Sequence, residues 1–97
     1  MDIDVKGVHL DLQDETKEFI EKKLEKLDFA RDYIVNLDFT ITKEKSEYEA
    51  EAKLHFRWGV SSVLKTNSFD LYEGLERLFD KLDSKVRKEK NKIKDRS

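Results

Sequence analysis

The sequence predicts an α+β domain in the order β-α-β-β-β-α, with four strands in one sheet and two helices packed on one face of it. Three segments alternate apolar and polar residues with a period of two, and two others repeat apolar residues every three or four positions. The chain has 97 residues, a length that suits one domain with one core. We therefore expect residues 1–97 to form a single domain, with the last few residues a flexible basic tail.

The first strand and the first helix have clear patterns. Ile3 and Val5 alternate with polar residues, which indicates a short strand with one buried face. A helix is predicted from Asp14 to about Leu27, because Asp14 and Glu15 suit the positive end of the helix dipole. Its apolar residues follow the i, i+4, i+7 spacing, and they are Ile20, Leu24 and Leu27.

The next two strands form a hairpin around the polar loop Lys43–Glu47. Their apolar residues are Val35, Leu37, Phe39 and Ile41 in the second strand, and Tyr48, Ala50, Ala52, Leu54, Phe56 and Trp58 in the third. A fourth strand with weaker alternation is predicted at about Ser61 to Thr66. Gly7 and Gly59 are placed in turns.

The second helix has the longest apolar stripe in the chain. Asn67 or Ser68 is predicted to cap it, and the stripe comprises Leu71, Leu75, Leu78, Phe79, Leu82, Val86 and Ile93. Because each sheet strand also has one apolar face, we expect both helices to cover that face. The predicted core is Val35, Leu37, Phe39, Ile41, Leu54, Phe56, Leu75, Leu78 and Leu82.

The composition predicts a folded domain that contains neither disulfides nor thiolate-bound metals. Hydrophobic residues make up 37% of the chain and charged residues 43%, so we expect a folded domain with a densely ionic surface. Without cysteine, neither a disulfide framework nor a thiolate metal site can form. The N-terminus lacks the pattern of a signal peptide and no apolar run approaches membrane-spanning length, so we expect a cytoplasmic protein without a membrane partner.

Charge is unevenly distributed along the chain. Residues 81–97 contain eight basic and three acidic residues, a net charge of +5, whereas the other twelve basic and nineteen acidic residues give −7. On a helical projection, Arg77, Lys81, Lys85, Lys88 and Lys92 fall within an arc of about 80° beside the apolar stripe. Lys22, Lys23 and Lys26 likewise flank one side of the first helix. We expect two paired basic ridges that suit the phosphates of a nucleic acid.

Other interpretations of the charged and aromatic residues stay open. A lysine-rich amphipathic helix is often only a solvated face with internal ion pairs. The side chains of Tyr48, Phe56 and Trp58 could stack on bases, although the strand period favours a place in the core. His9 and His55 lack a companion at metal-ligand spacing, and no catalytic or phosphate-loop motif is present. We expect no enzyme activity, no cofactor, no metal and no small-molecule substrate.

The chain resembles the ribosome hibernation-promoting factor and ribosome-associated inhibitor family over nearly its whole length. The order and spacing of several segments carry this resemblance, namely Gly7, Glu18–Leu27, Lys43–Lys45, Ala52–His55, Asp70–Tyr72, Asp80–Leu82 and Arg87–Lys94. The resemblance implies the same β-α-β-β-β-α fold. It also implies a ribosome-binding inhibitor of translation that docks in the decoding region of the small subunit and blocks the messenger and transfer-RNA sites.

The expected partners are therefore the small ribosomal subunit and its ribosomal RNA. By resemblance, the RNA-binding positions are Lys22, Lys23, Lys26, Lys81, Arg87, Lys88, Lys90 and Lys92, to which the helical projection adds Arg77 and Lys85. Two alternatives remain at this point: a protein-interaction or dimerisation module, and a generic binder of double-stranded RNA. The resemblance does not decide between promotion and prevention of ribosome pairing.

Overall fold

The computed structural model describes the backbone of residues 1–95 and the side-chain surroundings of residues 1–92. It confirms the predicted element order. The elements are β1 (Asp2–Val8), α1 (Asp14–Glu25), a short 3-10 helix (Asp28–Ala30), β2 (Ile34–Glu44), β3 (Glu47–Phe56), β4 (Ser61–Ser68) and α2 (Leu71–Asp95). Ile93 and the predicted basic tail lie outside the residues whose side chains are described, and Arg96 and Ser97 lie outside the described backbone.

The four strands form one sheet in the order β1-β2-β3-β4. β1 runs parallel to β2 and places Ile3 opposite Leu37, while the other two pairings are antiparallel. Parallel neighbours need a crossover connection, which α1 provides. β1 and β4 are consequently the edge strands.

One face of the sheet and the inner faces of both helices form the core. Of the nine predicted core residues, eight are buried: Leu37, Phe39, Ile41, Leu54, Phe56, Leu75, Leu78 and Leu82. The sheet and α2 also meet through aromatic rings, since the centroids of Phe39 and Phe79 lie 5.3 Å apart. Ile20 and Leu27 are buried as well, and Leu24 is half-buried.

The prediction that Val35 belongs to the core is wrong, because Val35 is 42% exposed. The pairing of β2 with β3 shifts here: Ile34 lies opposite Phe56, but Asn36 lies opposite His55. Val35 is thus the extra residue of a bulge, and Ile34 takes the buried position instead. The strict alternation through Leu37, Phe39 and Ile41 begins only after this irregularity.

The structure differs from the predicted turns in two places. The β2–β3 turn is limited to Lys45 and Ser46, with Lys45 at φ 53°. Gly7 lies inside β1 rather than in a turn, where a Cβ would collide with the carbonyl oxygen of Leu10. Gly59 does lie in a turn, at φ 89°, which favours glycine.

The cap of α2 is also different from the predicted one. β4 continues to Ser68, so neither Asn67 nor Ser68 caps the helix. Oδ1 of Asp70 accepts hydrogen bonds from the backbone N–H of Tyr72 at 2.9 Å and of Glu73 at 3.4 Å. Asp70 is therefore the N-cap, and the spacing of Asp70 and Glu73 is that of a capping box.

The helices of the described part of the chain include none that is long and apolar enough to cross a membrane.

Candidate nucleic-acid interface

One flank of α2 carries a continuous row of cations, which we call the β4-side row: Arg77, Lys81, Lys85, Lys88 and Lys92. Leu75, Leu78 and Leu82 turn their side chains into the core, and this orientation directs the row towards β4. Nη2 of Arg77 donates to the carbonyl oxygen of Asn67 at 2.8 Å, and Nζ of Lys81 donates to that of Lys65 at 2.9 Å. The row therefore lies along the outer strand of the sheet.

The middle of the β4-side row borders a shallow groove of about 420 Å³. Lys81, Lys85 and Lys88 line the groove together with one carboxylate, Asp80, and Leu64 of β4 contributes its apolar surface. Lysines on such a surface keep their ammonium groups in solvent while their methylene stems pack against apolar atoms. This arrangement can follow a chain of phosphates.

Glu89 lies within the row and contacts two of its cations. Its side chain is 6% exposed, and Oε1 lies 3.2 Å from Nζ of Lys85 and 3.4 Å from Nζ of Lys92. Burial alone would raise the pKa of Glu89, but hydrogen bonds and charges from the two lysines outweigh burial and lower it. The carboxylate is therefore ionised at neutral pH, and it draws the two lysines together on one surface.

The opposite flank of α2 is acidic and faces α1. Oε1 of Glu76 lies 3.2 Å from Nζ of Lys23. We call the cavity of about 290 Å³ between the helices the interhelical groove; among the residues that line it are Lys23, Lys26, Asp80, Asp83 and Arg87. Three cations and two carboxylates thus share this groove.

The two predicted basic ridges do not lie side by side in the structure. Each helix does separate its charges, but the basic side of α1 faces the acidic flank of α2, because α1 lies on the side of α2 away from β4. Lys22 is exposed on α1. Among the residues whose side chains are described, the β4-side row is the longer array of cations along one side of a helix.

Arg87 and Lys90 contact aromatic rings next to the 3-10 helix. Nε of Arg87 lies 3.0 Å from Oδ2 of Asp83, and its guanidinium carbon lies 4.6 Å from the ring centroid of Phe29. Nζ of Lys90 lies 5.6 Å from the Phe29 centroid and 6.0 Å from that of Tyr33. Cation–π contacts of this kind hold the cations in place without neutralising them. The sequence did not indicate them, since Phe29 and Tyr33 belong to no periodic segment.

The aromatic residues considered as base-stacking platforms pack mainly against the protein. Phe56 is fully buried, and its ring stacks on Trp58 with centroids 4.9 Å apart. Trp58 lies in the turn after β3 and also contacts the edge of Tyr33. Tyr48 is half-buried, with Nζ of Lys43 lying 5.3 Å from its ring centroid.

The histidines lie apart from one another. His9 is exposed in the connection after β1, and Nδ1 of His55 forms a 2.7 Å hydrogen bond with Oγ of Ser61. Within residues 1–92, the histidine, aspartate and glutamate side chains include no group of three that could hold a metal ion.

The sheet face away from the helices is acidic at its centre. Asp4, Asp38, Glu49 and Glu51 lie on this face, and Nζ of Lys65 bridges Glu49 at 3.7 Å and Glu51 at 3.6 Å. Phosphates would be repelled here. The charge distribution therefore favours the helix side of the molecule for a nucleic acid.

Residues 3–94 match the protein-family model described as sigma 54 modulation protein / S30EA ribosomal protein. The ribosome hibernation promoting factor of Azotobacter vinelandii is 32% identical over 92 residues, which cover 95% of this chain and 85% of that protein. The protein of the same name from Escherichia coli (strain K12) is 27% identical over 94 residues, covering 97% of this chain and 98% of that protein.

Two solved structures have the same fold. A ribosomal subunit interface protein from Coxiella burnetii superposes with a TM-score of 0.85 at 26% identity, covering 94% of this chain and 99% of that one. The N-terminal domain of Protein Y from Thermus thermophilus superposes with a TM-score of 0.79 at 25% identity, covering 91% of this chain and 98% of that one.

Proposed function

The chain belongs to the sigma 54 modulation protein / S30EA ribosomal protein family, and from this membership we propose that it is a ribosome hibernation factor. It binds ribosomal RNA at the decoding region of the small subunit and inhibits translation by occluding the messenger and transfer-RNA sites. The names of its relatives support association with the ribosome. Occlusion requires binding alone, so the proposed action needs neither a catalytic group nor a cofactor.

The observation that carries the proposal is the β4-side row. Five cations follow one flank of α2 from Arg77 to Lys92, and the fifteen helical steps between these two residues correspond to about 22 Å. Successive phosphates of one nucleic-acid strand are several ångströms apart, so such a row can contact more than one of them and release the condensed counterions. The acidic sheet face opposes binding through the side of the sheet away from the helices.

The remaining candidates contribute to a second contact region. Lys23, Lys26 and Arg87 share the interhelical groove with Asp80 and Asp83, which reduces the attraction for phosphate. Lys90 contacts the rings of Phe29 and Tyr33, and Lys22 is exposed on α1, so both lie outside the lining of this groove. We assign RNA binding to all ten residues, with the larger share of the electrostatic attraction in the β4-side row.

Replacing two cations of the row tests the proposal. Each phosphate contact contributes about −0.7 to −0.9 to the slope of log affinity against log salt. The double variant Lys85→Gln with Lys88→Gln should therefore bind small ribosomal subunits more weakly and reduce the steepness of that slope by up to about 1.8. The measurement is co-sedimentation with small subunits at several salt concentrations, with thermal unfolding to confirm that the fold is intact.

The matched control removes the same charge from the acidic sheet face. Lys6 and Lys53 are exposed there, and changing both to glutamine should leave ribosome binding nearly unchanged. If both double variants lost the same affinity for small subunits, binding would depend on the net charge of the protein and not on the β4-side row. Competition by an unrelated RNA duplex would instead favour a generic binder of double-stranded RNA, and normal translation in vitro despite tight binding would exclude occlusion.

A further inference from the structure

A cleft with exposed aromatic rings lies at the end of α2 opposite to its basic end. We call it the aromatic cleft; it has a volume of about 460 Å³, and its apolar lining comprises Leu10, Leu12, Tyr48, Phe69, Leu71 and Tyr72. The connection after β1, the start of β3 and the junction of β4 with α2 meet here. Tyr72 and Lys85 are thirteen residues apart on one helix, or about 20 Å along its axis. The cleft therefore lies apart from the middle of the β4-side row and shares no lining residue with its groove, while Arg77, at the near end of the row, is five residues from Tyr72.

Phe69 is the most exposed large hydrophobic residue of the described chain, at 73%. Its backbone is held on both sides, because Oγ of buried Ser68 accepts a hydrogen bond from the N–H of Asp70 at 3.2 Å and Asp70 caps α2. Tyr72 is fixed as well, since its ring meets the edge of Phe19 with centroids 5.1 Å apart. A large apolar side chain held in solvent by a rigid backbone is typical of a binding surface.

The charged residues of the lining are acidic, and the cation nearest to it in the contacts described above is Lys43, whose Nζ lies 5.3 Å from the ring centroid of Tyr48. Asp11 and Asp70 belong to its lining, and neither lysine nor arginine does. Asp14, Glu15 and Glu73 lie in the first turns of the two helices that begin beside it. Carboxylates at this density repel phosphates, so the cleft does not suit RNA although it offers rings for stacking.

A second copy of the chain is also a poor partner. In a symmetric dimer the same patch faces itself, so a cleft whose charged lining residues are Asp11 and Asp70 would meet an equally acidic cleft. Complementarity instead requires a partner that carries positive charge and an apolar side chain large enough to fill the cleft.

We propose that the aromatic cleft docks a cationic protein segment that inserts an aromatic or leucine side chain against Phe69 and Tyr72 and places lysine or arginine near Asp11 and Asp70. This interaction surface is additional to the RNA-binding row and does not depend on it. On the ribosome, the segment would belong to a basic ribosomal protein, so one molecule would contact RNA along α2 and protein at the helix start.

Nuclear magnetic resonance titration of the full chain tests this proposal with three defined probes. They are the capped peptide Lys-Leu-Lys-Phe-Lys, the same peptide with glutamate in place of each lysine, and an oligouridylate. The cationic peptide should shift the amide signals of the cleft residues in a saturable manner, while the other two should not. Saturable binding of the acidic peptide or the oligouridylate at the cleft, or no saturable binding of the cationic peptide, would overturn the proposal.

Two serine variants, one inside the cleft and one outside it, show whether the cationic peptide binds at the cleft. Phe69→Ser should weaken binding of the cationic peptide at least about tenfold, because one large apolar contact is lost. Val63→Ser is the control, since Val63 is 51% exposed on β4 but lies outside the lining of the cleft. Equal affinities of the two variants would overturn the assignment, and so would cleft signals that shift with protein concentration alone, which would indicate self-association.

A photo-crosslinking amino acid at position 69 extends the test to the ribosome. Benzoylphenylalanine in place of Phe69 should crosslink to a basic ribosomal protein, whereas a crosslink to ribosomal RNA, or no crosslink during normal co-sedimentation, would contradict the proposal. Failure to co-sediment at all would count against the proposed hibernation function, while the peptide titration would still decide the role of the cleft.

Discussion

Nζ of Lys85 lies 3.2 Å from Oε1 of Glu89, a carboxylate buried on the same helix. Lys92 approaches the same oxygen from the other side at 3.4 Å. The three residues form a compact unit in which two positive charges exceed one negative charge. The unit remains attractive to phosphate, and the carboxylate limits the freedom of both lysine side chains.

The pH dependence of stability should reveal this unit. The pKa of Glu89 is lowered in the folded protein, so the unfolded chain binds more protons as the pH falls, and the stabilisation is lost when the pH passes below the folded pKa. We expect Glu89→Gln to reduce the free energy of unfolding by about 1 kcal/mol at pH 7. That difference should shrink below about pH 4.5, the ordinary pKa, and disappear in stronger acid.

Urea unfolding of both proteins at several pH values measures the effect of Glu89. Glu47→Gln serves as the control, because Glu47 is exposed at the start of β3 and its replacement should change stability by less than about 0.5 kcal/mol. A difference between wild type and Glu89→Gln that does not vary with pH would show that packing, rather than charge, makes Glu89 important.

Replacement with alanine should destabilise the protein much more at Leu78 than at Val35. Leu78 is fully buried between α2 and the sheet, so Leu78→Ala should cost about 2 to 5 kcal/mol in the free energy of unfolding. Val35→Ala should cost less than about 1 kcal/mol, since the bulge leaves Val35 at the surface. Chemical denaturation measures both, and similar costs would contradict the bulge.

The N-cap of α2 can be tested by comparing two nearby residues. Asp70→Ala should lower the free energy of unfolding by about 0.5 to 2 kcal/mol, because two backbone N–H groups lose their acceptor. Asn67→Ala should have little effect, because Asn67 is exposed on β4. Thermal or urea unfolding measures both variants. A larger loss of stability in Asn67→Ala than in Asp70→Ala would indicate that Asn67 is the cap, as the sequence predicted.

Cations of the interhelical groove should contribute less to ribosome binding than those of the β4-side row. We expect Lys23→Gln with Lys26→Gln to reduce the salt slope by less than Lys85→Gln with Lys88→Gln, because the interhelical groove contains two carboxylates, Asp80 and Asp83, whereas the groove of the β4-side row contains Asp80 alone. Co-sedimentation across a salt series measures both slopes. If Lys23→Gln with Lys26→Gln reduced the salt slope more, the main RNA contact would lie on α1.

The sequence predicted the fold well where periodicity was strong. The alternation in β2 and β3 and the stripe of α2 placed Leu37, Leu54, Leu78 and their neighbours in the core, as observed. A bulge has no periodic signal, so Val35 was assigned to the wrong environment. The spacing of Asp70 and Glu73 in the sequence is that of a capping box and could have identified the cap. The predicted end of β4 at Thr66 instead placed the start of the helix at Asn67 or Ser68, before Asp70.

The candidate site was predictable on each helix separately but not across them. A helical projection correctly grouped Arg77, Lys81, Lys85 and Lys88 on one flank of α2. Whether that flank faced β4 or α1 depended on the position of α2 over the sheet, which results from long-range packing. For the same reason, the Lys23–Glu76 ion pair and the rings beneath Arg87 and Lys90 could not be foreseen.

Arg77 and Lys81 have a consequence for how the protein behaves when concentrated. β4 is an edge strand, and a free edge can recruit a strand of another molecule and start aggregation. The two side chains occupy the carbonyl oxygens of Asn67 and Lys65, the acceptors that an incoming strand would need. In the proposed function the same cations contact phosphates, so we expect the residues that recognise RNA also to disfavour self-assembly of the unbound protein through this edge.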